Sequence, residues 1–251
     1  MKISLITVAY QAAHVLPTCI ESVLSQDYPD LEYILIDGGS TDGTKELVES
    51  YGDRIQVFVS EPDKGIYDAM NKGINLATGE VVGLLNADDL YAHESAVSQV
   101  MAAFQAHDVD SVYGDLVYIK DEDLSTVVRY FPGKDFQPAK LKKGMMPPHP
   151  TFFVKRKWYD KAGVFDTDFK ICADFDFMVR LFHTHGISSH YLPETLVKMR
   201  TGGASTQGLS STLTINQEML ASCKKHGIST NLATIYSKYF TKIFQLVKKP
   251  G

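Results

Sequence analysis

The sequence predicts an α/β fold: a doubly wound, mostly parallel sheet with a C-terminal helical extension. Three observations carry this. Up to about Val109, short apolar runs alternate with stretches of helical periodicity, the rhythm of a parallel sheet covered by helices. The runs themselves, such as Val81 to Leu85, are continuously apolar, as strands buried on both faces are. From Ser210 onward the chain reads as helices only.

The elements follow in order. Ile3 to Tyr10 is β-branched and apolar, a central strand. After a polar turn, Leu16, Ile20, Val23 and Leu24 recur at helical spacing, with Pro17 tolerated near the helix start. Tyr33 to Ile36 is the second strand and ends at Asp37. A glycine-rich turn, Gly38-Gly39-Ser40-Thr41-Asp42-Gly43-Thr44, leads to a helix carrying Leu47, Val48 and Tyr51. Gln56 to Val59 is the third strand, and Ile66, Met70, Ile74 and Ala77 mark the next helix. The strand Val81 to Leu85 precedes a helix with Val97, Val100, Met101 and Phe104. The rhythm then changes. Val112-Tyr113, Leu116 to Ile119 and Thr126 to Tyr130 read as strands without intervening helices. Residues 132–150, rich in Pro, Gly and Lys, read as a loop over the site, and Thr151 to Val154 as a strand. Asp174 to His185 is a helix with the stripe Phe177, Met178, Leu181 and Phe182. A strand at Leu196 to Met199 enters the Gly-rich segment 200–206.

Bulk properties exclude several classes. The net charge of −5 and the lack of an arginine-rich tract argue against nucleic acid as a partner. Cys19, Cys172 and Cys223 have no metal-ligand spacing and read as reduced thiols of a cytoplasmic protein. Met1-Lys2 leads straight into a strand, so no signal peptide is expected. No run of about 18 apolar residues appears, so no membrane-spanning helix is expected.

The chemistry points to strand ends. The run Val81 to Leu85 is followed by Asn86-Ala87-Asp88-Asp89. Carboxylates just past the carboxyl end of such a strand lie where open α/β sheets bind ligands. Two hard oxygen ligands there suit Mg²⁺ or Mn²⁺ that also holds a diphosphate. A plain strand-end turn is the alternative, since Asp is common in turns. Asp37 likewise ends a strand before a Gly-rich turn, where it can accept hydrogen bonds from a ribose or a base. A dinucleotide-binding fingerprint is not satisfied, because strand one ends in Ala9-Tyr10-Gln11 without the required glycine spacing.

The ordered set of motifs resembles the nucleotide-sugar glycosyltransferases of family 2, which have the GT-A fold. Thr7-Val8-Ala9-Tyr10 and Ile36-Asp37-Gly38-Gly39-Ser40-Thr41-Asp42-Gly43-Thr44 resemble the family's first two blocks. Glu61-Pro62-Asp63-Lys64-Gly65 with Ala69, Asn71 and Gly73 resembles the third. Leu85-Asn86-Ala87-Asp88-Asp89 resembles its DXD metal motif, with Asn86 where the family usually has Asp. Cys172-Ala173-Asp174-Phe175-Asp176 with Arg180 resembles the block that holds its catalytic base.

The resemblance implies an inverting, metal-dependent transfer of a sugar from a nucleotide-diphosphate donor, UDP-linked, to a glycan or lipid-linked saccharide. Thr7, Ala9, Tyr10, Asp37 and Asp63 would contact the nucleoside, with Lys64, Asn86, Ala87, Asp88 and Arg200 toward the diphosphate. Asp88 and Asp89 would hold Mn²⁺ or Mg²⁺. Asp174 would be the general base; capping its own helix is the plain alternative. Asp176 is the second candidate base, and His149 and Trp158 join it on the acceptor side. Residues 1–208 would form the catalytic domain, with a nucleotide-binding half (1–108), an acceptor-binding half (109–208) and a helical extension at 209–251. In that extension Ile235, Tyr236, Tyr239, Phe240, Ile243, Phe244 and Val247 form an apolar face flanked by lysines. It reads as a helix packed on protein, including a homodimer partner, or as one lying on the inner face of a membrane. Two rivals remain: a nucleotidyltransferase that makes sugar nucleotides, and a sugar-nucleotide-binding module without turnover.

Overall fold

The computed structural model of the chain describes residues 1–121, 123–201 and 208–239. Its elements are β1 (Ile3–Ala9), α1 (Leu16–Leu24), β2 (Leu31–Asp37), α2 (Thr44–Glu49), β3 (Val57–Ser60), α3 (Ile66–Leu76), β4 (Val81–Asn86), β5 (Asp89–Tyr91) and α4 (Ala96–His107). They continue as β6 (Ser111–Ile119), β7 (Val127–Phe131), β8 (Phe152–Lys155), α5 (Lys157–Ala162), α6 (Ala173–Val179), β9 (Ser189–Arg200), α7 (Gly208–Lys225) and α8 (Leu232–Tyr236).

One curled sheet runs β3-β2-β1-β4-β8-β6-β9-β5, with β7 on β6. The first four strands in this order are parallel, as their continuous apolar runs require: every residue of β1 is buried. β8 turns antiparallel against β4 and β6, and β9 returns parallel to β6. Alternation along β1 sends Ile3, Leu5 and Ala9 into one core and Ile6 and Val8 into the other. α1 and α4 cover the first face, and α3, α6 and α7 the second. The doubly wound, mostly parallel sheet expected from sequence is therefore the observed one, and helices follow it at the C-terminus.

The differences lie in the second half. The two short strands expected at 112–113 and 116–119 are one strand, β6, with register shifts against β9 around Gly114. β9 runs twelve residues from Ser189 because pairing with β6 overrides the weak strand propensity of Pro193 and Glu194. β5 and α5, three and six residues long, carry too few residues for a periodic signal. The loop expected at 132–150 contains 3₁₀ turns at Pro138–Lys143 and His149–Thr151. The helix expected from Asp174 to His185 is α6 followed by a π-turn at Arg180–Thr184.

Most of the amphipathic face expected between 234 and 249 lies outside the described residues. Its first member, Ile235, is fully buried in the second core beside Met219 and Cys223 of α7.

Candidate active site

β1, β2 and β4 are parallel and in register, so their carboxyl ends open on the same side: Ala9 pairs with Asp37, and Val8 with Asn86. A cleft of about 1560 Å³ lies there, the place where open α/β sheets take ligands. Ala9, Tyr10, Gly38 and Asp63 line one part of it, Asn86, Ala87 and Asp88 another, and His149, Asp174 and Arg200 a third.

The part of the cleft after β2 is shaped by a buried carboxylate. Asp37 is wholly buried, accepts hydrogen bonds from the Ser40 N–H (3.1 Å), the Ser40 hydroxyl and the Ser60 hydroxyl (2.7 Å), and does not line the cleft. Its expected contact with a nucleoside is therefore corrected to bracing the turn that follows β2. That turn presents backbone instead. A Cβ at Gly38 would fall 2.4 Å from the Asp63 carboxylate, and Gly39 has a φ of 81°, where L side chains are strained. Asp63 is oriented by the Gly65 N–H at 2.7 Å. Tyr10, 65 % exposed, turns its ring toward the cleft. Gln11, with φ at 51°, is a strained non-glycine residue beside it, held through its N–H by Ser40 Oγ at 2.8 Å.

Thr7 is also corrected: it is buried beneath the cleft, accepting from the Tyr33 hydroxyl at 3.1 Å. Lys64 is exposed and its side chain does not line the cleft.

Of the adjacent carboxylates, Asp88 lines the cleft and Asp89 does not. Asp88 lies in the turn between β4 and β5, whereas Asp89 starts β5 and is fully buried. Neither of its oxygens has a hydrogen-bond partner among the described residues. Burial first, and Asp88 second, push its carboxyl well above the usual carboxylate range, against the pull of Arg200. Asn86 Oδ1 is buried at the cleft, again without a partner among the described residues. Arg200, expected to close on phosphate, donates to Asp121 at 2.8 Å and Thr18 at 2.6 Å while lining the cleft.

Asp174 opens α6 with its side chain 15 % exposed to the cleft. Its Oδ1 accepts from the Phe175 N–H at 2.8 Å and lies 3.4 Å from the Tyr67 hydroxyl; its Oδ2 lies 3.3 Å from His149 Nδ1. Burial raises its pKa above the ordinary carboxylate value, opposed by His149, the Phe175 N–H and Tyr67.

Asp176 is two residues on, roughly 200° around the helix. It is fully buried, bound to Arg180 Nε (3.0 Å), the Ser222 hydroxyl (2.8 Å) and His226 Nε2 (2.9 Å). An acceptor contact at Asp176 is corrected to a tie between α6 and α7. Trp158 on α5 sits between Lys157, Lys161 and the His185 ring and does not line the cleft, a second correction.

Two residues were not singled out from sequence. Tyr67 donates to the Ile171 carbonyl beside Asp174; its signal was a polar tip on the core face of α3. Asp115 is buried in β6 and receives the Tyr130 and Tyr191 hydroxyls and the Gly133 N–H (2.7 Å), tethering the loop over the cleft. No sequence signal separates it from a strand residue facing solvent.

A family model described as Glycosyl transferase family 2 matches residues 4–168. The chain belongs to this family. Among curated relatives of this family 2 enzyme, the PGL/p-HBAD biosynthesis glycosyltransferase of Mycobacterium bovis (strain BCG / Pasteur 1173P2) is 31 % identical over 234 residues, covering 91 % of this chain and 85 % of that protein. Glycosyltransferase GlyG of Streptococcus pneumoniae is 32 % identical over 137 residues, 53 % of this chain and 45 % of that protein. Of solved structures, S. aureus TarS 1-349 in complex with UDP-GlcNAc aligns with a TM-score of 0.73 at 16 % identity, covering 96 % of this chain and 73 % of that one. The mannosyltransferase PcManGT from Pyrobaculum calidifontis, in complex with GDP-Man and Mn²⁺, gives 0.63 at 17 % identity, with 98 % and 81 % covered. This chain spans 44 % of the longer S. aureus TarS chain. The likenesses show that the family 2 chain has the GT-A fold.

The family 2 chain has no group of three or more His, Cys, Asp or Glu, among the described residues, that would hold a metal ion unaided. Just past β4 it offers the cleft-lining carboxylate of Asp88 and, two residues before it, the amide oxygen of Asn86, which has no partner among the described residues. Such a sparse oxygen set fits an Mg²⁺ or Mn²⁺ ion whose shell is completed by substrate phosphates. No helix among the described residues is long and apolar enough to cross a membrane.

Proposed function

We propose that the chain is an inverting, metal-dependent glycosyltransferase that takes a sugar from a UDP-linked donor and passes it to a hydroxyl of a glycan or lipid-linked saccharide. The observation that carries the reading is that Asp88 and Asp174, distant in sequence, line one cleft at the carboxyl ends of the parallel strands. The nucleoside lies along Ala9, Tyr10 and Asp63 on backbone exposed by Gly38 and Gly39. The diphosphate lies over Ala87 and Asp88, within reach of Arg200.

Asp88, with the Asn86 amide, holds Mn²⁺ or Mg²⁺, which supplies neutralisation of the charge on the departing diphosphate. Asp174 accepts the proton of the acceptor hydroxyl. The acceptor oxygen bonds to the anomeric carbon as the sugar–phosphate bond breaks, its electron pair leaving with the UDP. Attack from the opposite face inverts the anomeric centre. The raised pKa of Asp174 makes it a stronger base than an exposed aspartate and moves the acid limb of activity upward: rate is lost as pH falls through that raised value.

On this reading residues 1–108 bind the nucleotide, residues 109–208 the acceptor, and residues 209–251 follow as a helical extension. The inactive-module rival rests on Asn86 alone, with Asp88 and Asp174 against it, and the nucleotidyltransferase rival lacks a Gly-rich, Lys/Arg-bearing phosphate loop after β1.

The test is a screen of UDP release over several UDP-sugars, with and without Mn²⁺. Asp174→Asn is expected to keep donor binding and lose about 10²–10⁴-fold in transfer. Asp88→Ala is expected to weaken the Mn²⁺-dependent part of donor binding. Transfer by Asp174→Asn at the parent rate would sink the assignment of the base, and a product with retained anomeric configuration would sink inversion.

A further inference from the structure

The segment that delivers Asp174 to the cleft is held from the C-terminal helices. Residues matched to the family stop at 168, before this segment and before α7. Three consecutive backbone N–H groups ahead of Asp174 converge on one carboxylate of α7. Lys170 donates to Glu218 Oε1 at 2.9 Å, and Ile171 and Cys172 donate to Oε2 at 3.0 and 2.9 Å. Cys172 is the N-cap of α6 and makes no side-chain cap bond; Glu218 takes its backbone N–H from another helix, the bond that a Glu within the first turn gives in a capping box. On the other side, the carbonyl of Ile171 receives the Tyr67 hydroxyl, which also faces Asp174. Ile171 is thus gripped at both its N–H and its C=O.

Below the base the same helix acts again. Glu218, Ser222 and His226 are spaced by four and fall on one stripe. Ser222 and His226 both bind Asp176, one turn-face away from Asp174.

We propose that Glu218 is a positioning residue for the reaction: by collecting the N–H groups of 170–172 it fixes the backbone from which Asp174 reaches the acceptor hydroxyl. The C-terminal helices are therefore part of the catalytic device. The proposal rests on the reading of Asp174 as the base. Three charge-assisted hydrogen bonds to one anion set the segment more tightly than packing alone, and a displacement of about 1 Å at a reacting group can cost about 100-fold.

The experiment uses the full chain. Glu218→Ala and Glu218→Gln are compared with the parent, with Asp174→Asn, and with Cys223→Ala, a core change in the same helix whose own bond goes to Leu141. UDP serves as the binding probe, and the UDP-sugar and acceptor found in the screen serve for rates. Glu218→Ala is expected to lower kcat about 10- to 100-fold with the Kd for UDP and the donor KM within about twofold. Glu218→Gln, which keeps one acceptor oxygen, falls between Ala and parent; it decides the matter by the same readouts if the Ala variant does not fold. Parent-like kcat in either folded variant overturns the proposal, as does a loss that Cys223→Ala reproduces at equal loss of Tm. Parent-like transfer by Asp174→Asn instead overturns the reading of the base, so the two failures are distinguishable.

Discussion

Glu32 and Asp174 are both carboxylates with displaced pKa values, and the displacements have opposite signs. At Glu32 burial pushes the carboxyl up, but bonds from Lys2 (2.8 Å), Ser4 and the Thr78 N–H (2.9 Å) win and hold it at about 2. A depressed folded-state pKa contributes stability that is present above the unfolded value, about 4.5, and is lost as pH falls through about 2. Glu32→Gln is therefore expected to unfold about 2–3 kcal/mol more easily in urea at pH 7, with the gap closing between pH 4.5 and 2. A gap that stays constant with pH would refute the sign. Asp174 has the raised value, so its contribution is favourable at low pH and lost as pH rises through the raised pKa. On the proposed mechanism, the stability given up there keeps a base in a partly dry cleft. Residue identity was legible from sequence at both ends of the cleft, but orientation was not. Asp37 ends β2 as expected and Thr7 lies within β1, yet both are buried, because pleat and twist choose which neighbour faces the cleft.

At the scale of elements, the turn after β2 matters more than any side chain it carries. Gly38 lets backbone lie directly against the Asp63 carboxylate, and the buried Asp37–Ser40–Ser60 bonds hold the turn in that shape. Gly38→Ala is expected to push Asp63 aside and weaken UDP binding about tenfold by calorimetry, about 1.4 kcal/mol, a modest overpacking cost. An unchanged Kd would show that the Asp63 side of the cleft does not meet the nucleotide. The alternation of strands and helices made these first elements readable, since each is long enough to show its period. β5 and α5 are too short for that, and the continuity of β6 through Gly114 depends on its pairing with β9, a partner some 80 residues away. Pairing across such a distance leaves no local pattern.

At the scale of the whole molecule, α7 and α8 complete the core under α6, burying Met219, Cys223 and Ile235 to 7 % exposure or less. Three such side chains represent on the order of 5 kcal/mol, a large share of what a domain has in all. A chain ending at residue 207 is expected to be insoluble or to lose its near-ultraviolet circular dichroism; a soluble, natively packed product would show the helices to be dispensable. The sequence by itself determined the order of elements, the parallel half of the sheet and the chemical types gathered at strand ends, because apolar periodicity and turn residues act over a few positions. The tertiary structure alone decided that Asp88 lines the cleft while Asp89 is buried, that Asp176 and Trp158 serve the interior, and that Glu218 holds the segment bearing Asp174. Those outcomes depend on which surfaces meet when distant segments are packed, and burial and hydrogen-bond satisfaction are properties of that meeting, not of any stretch of chain.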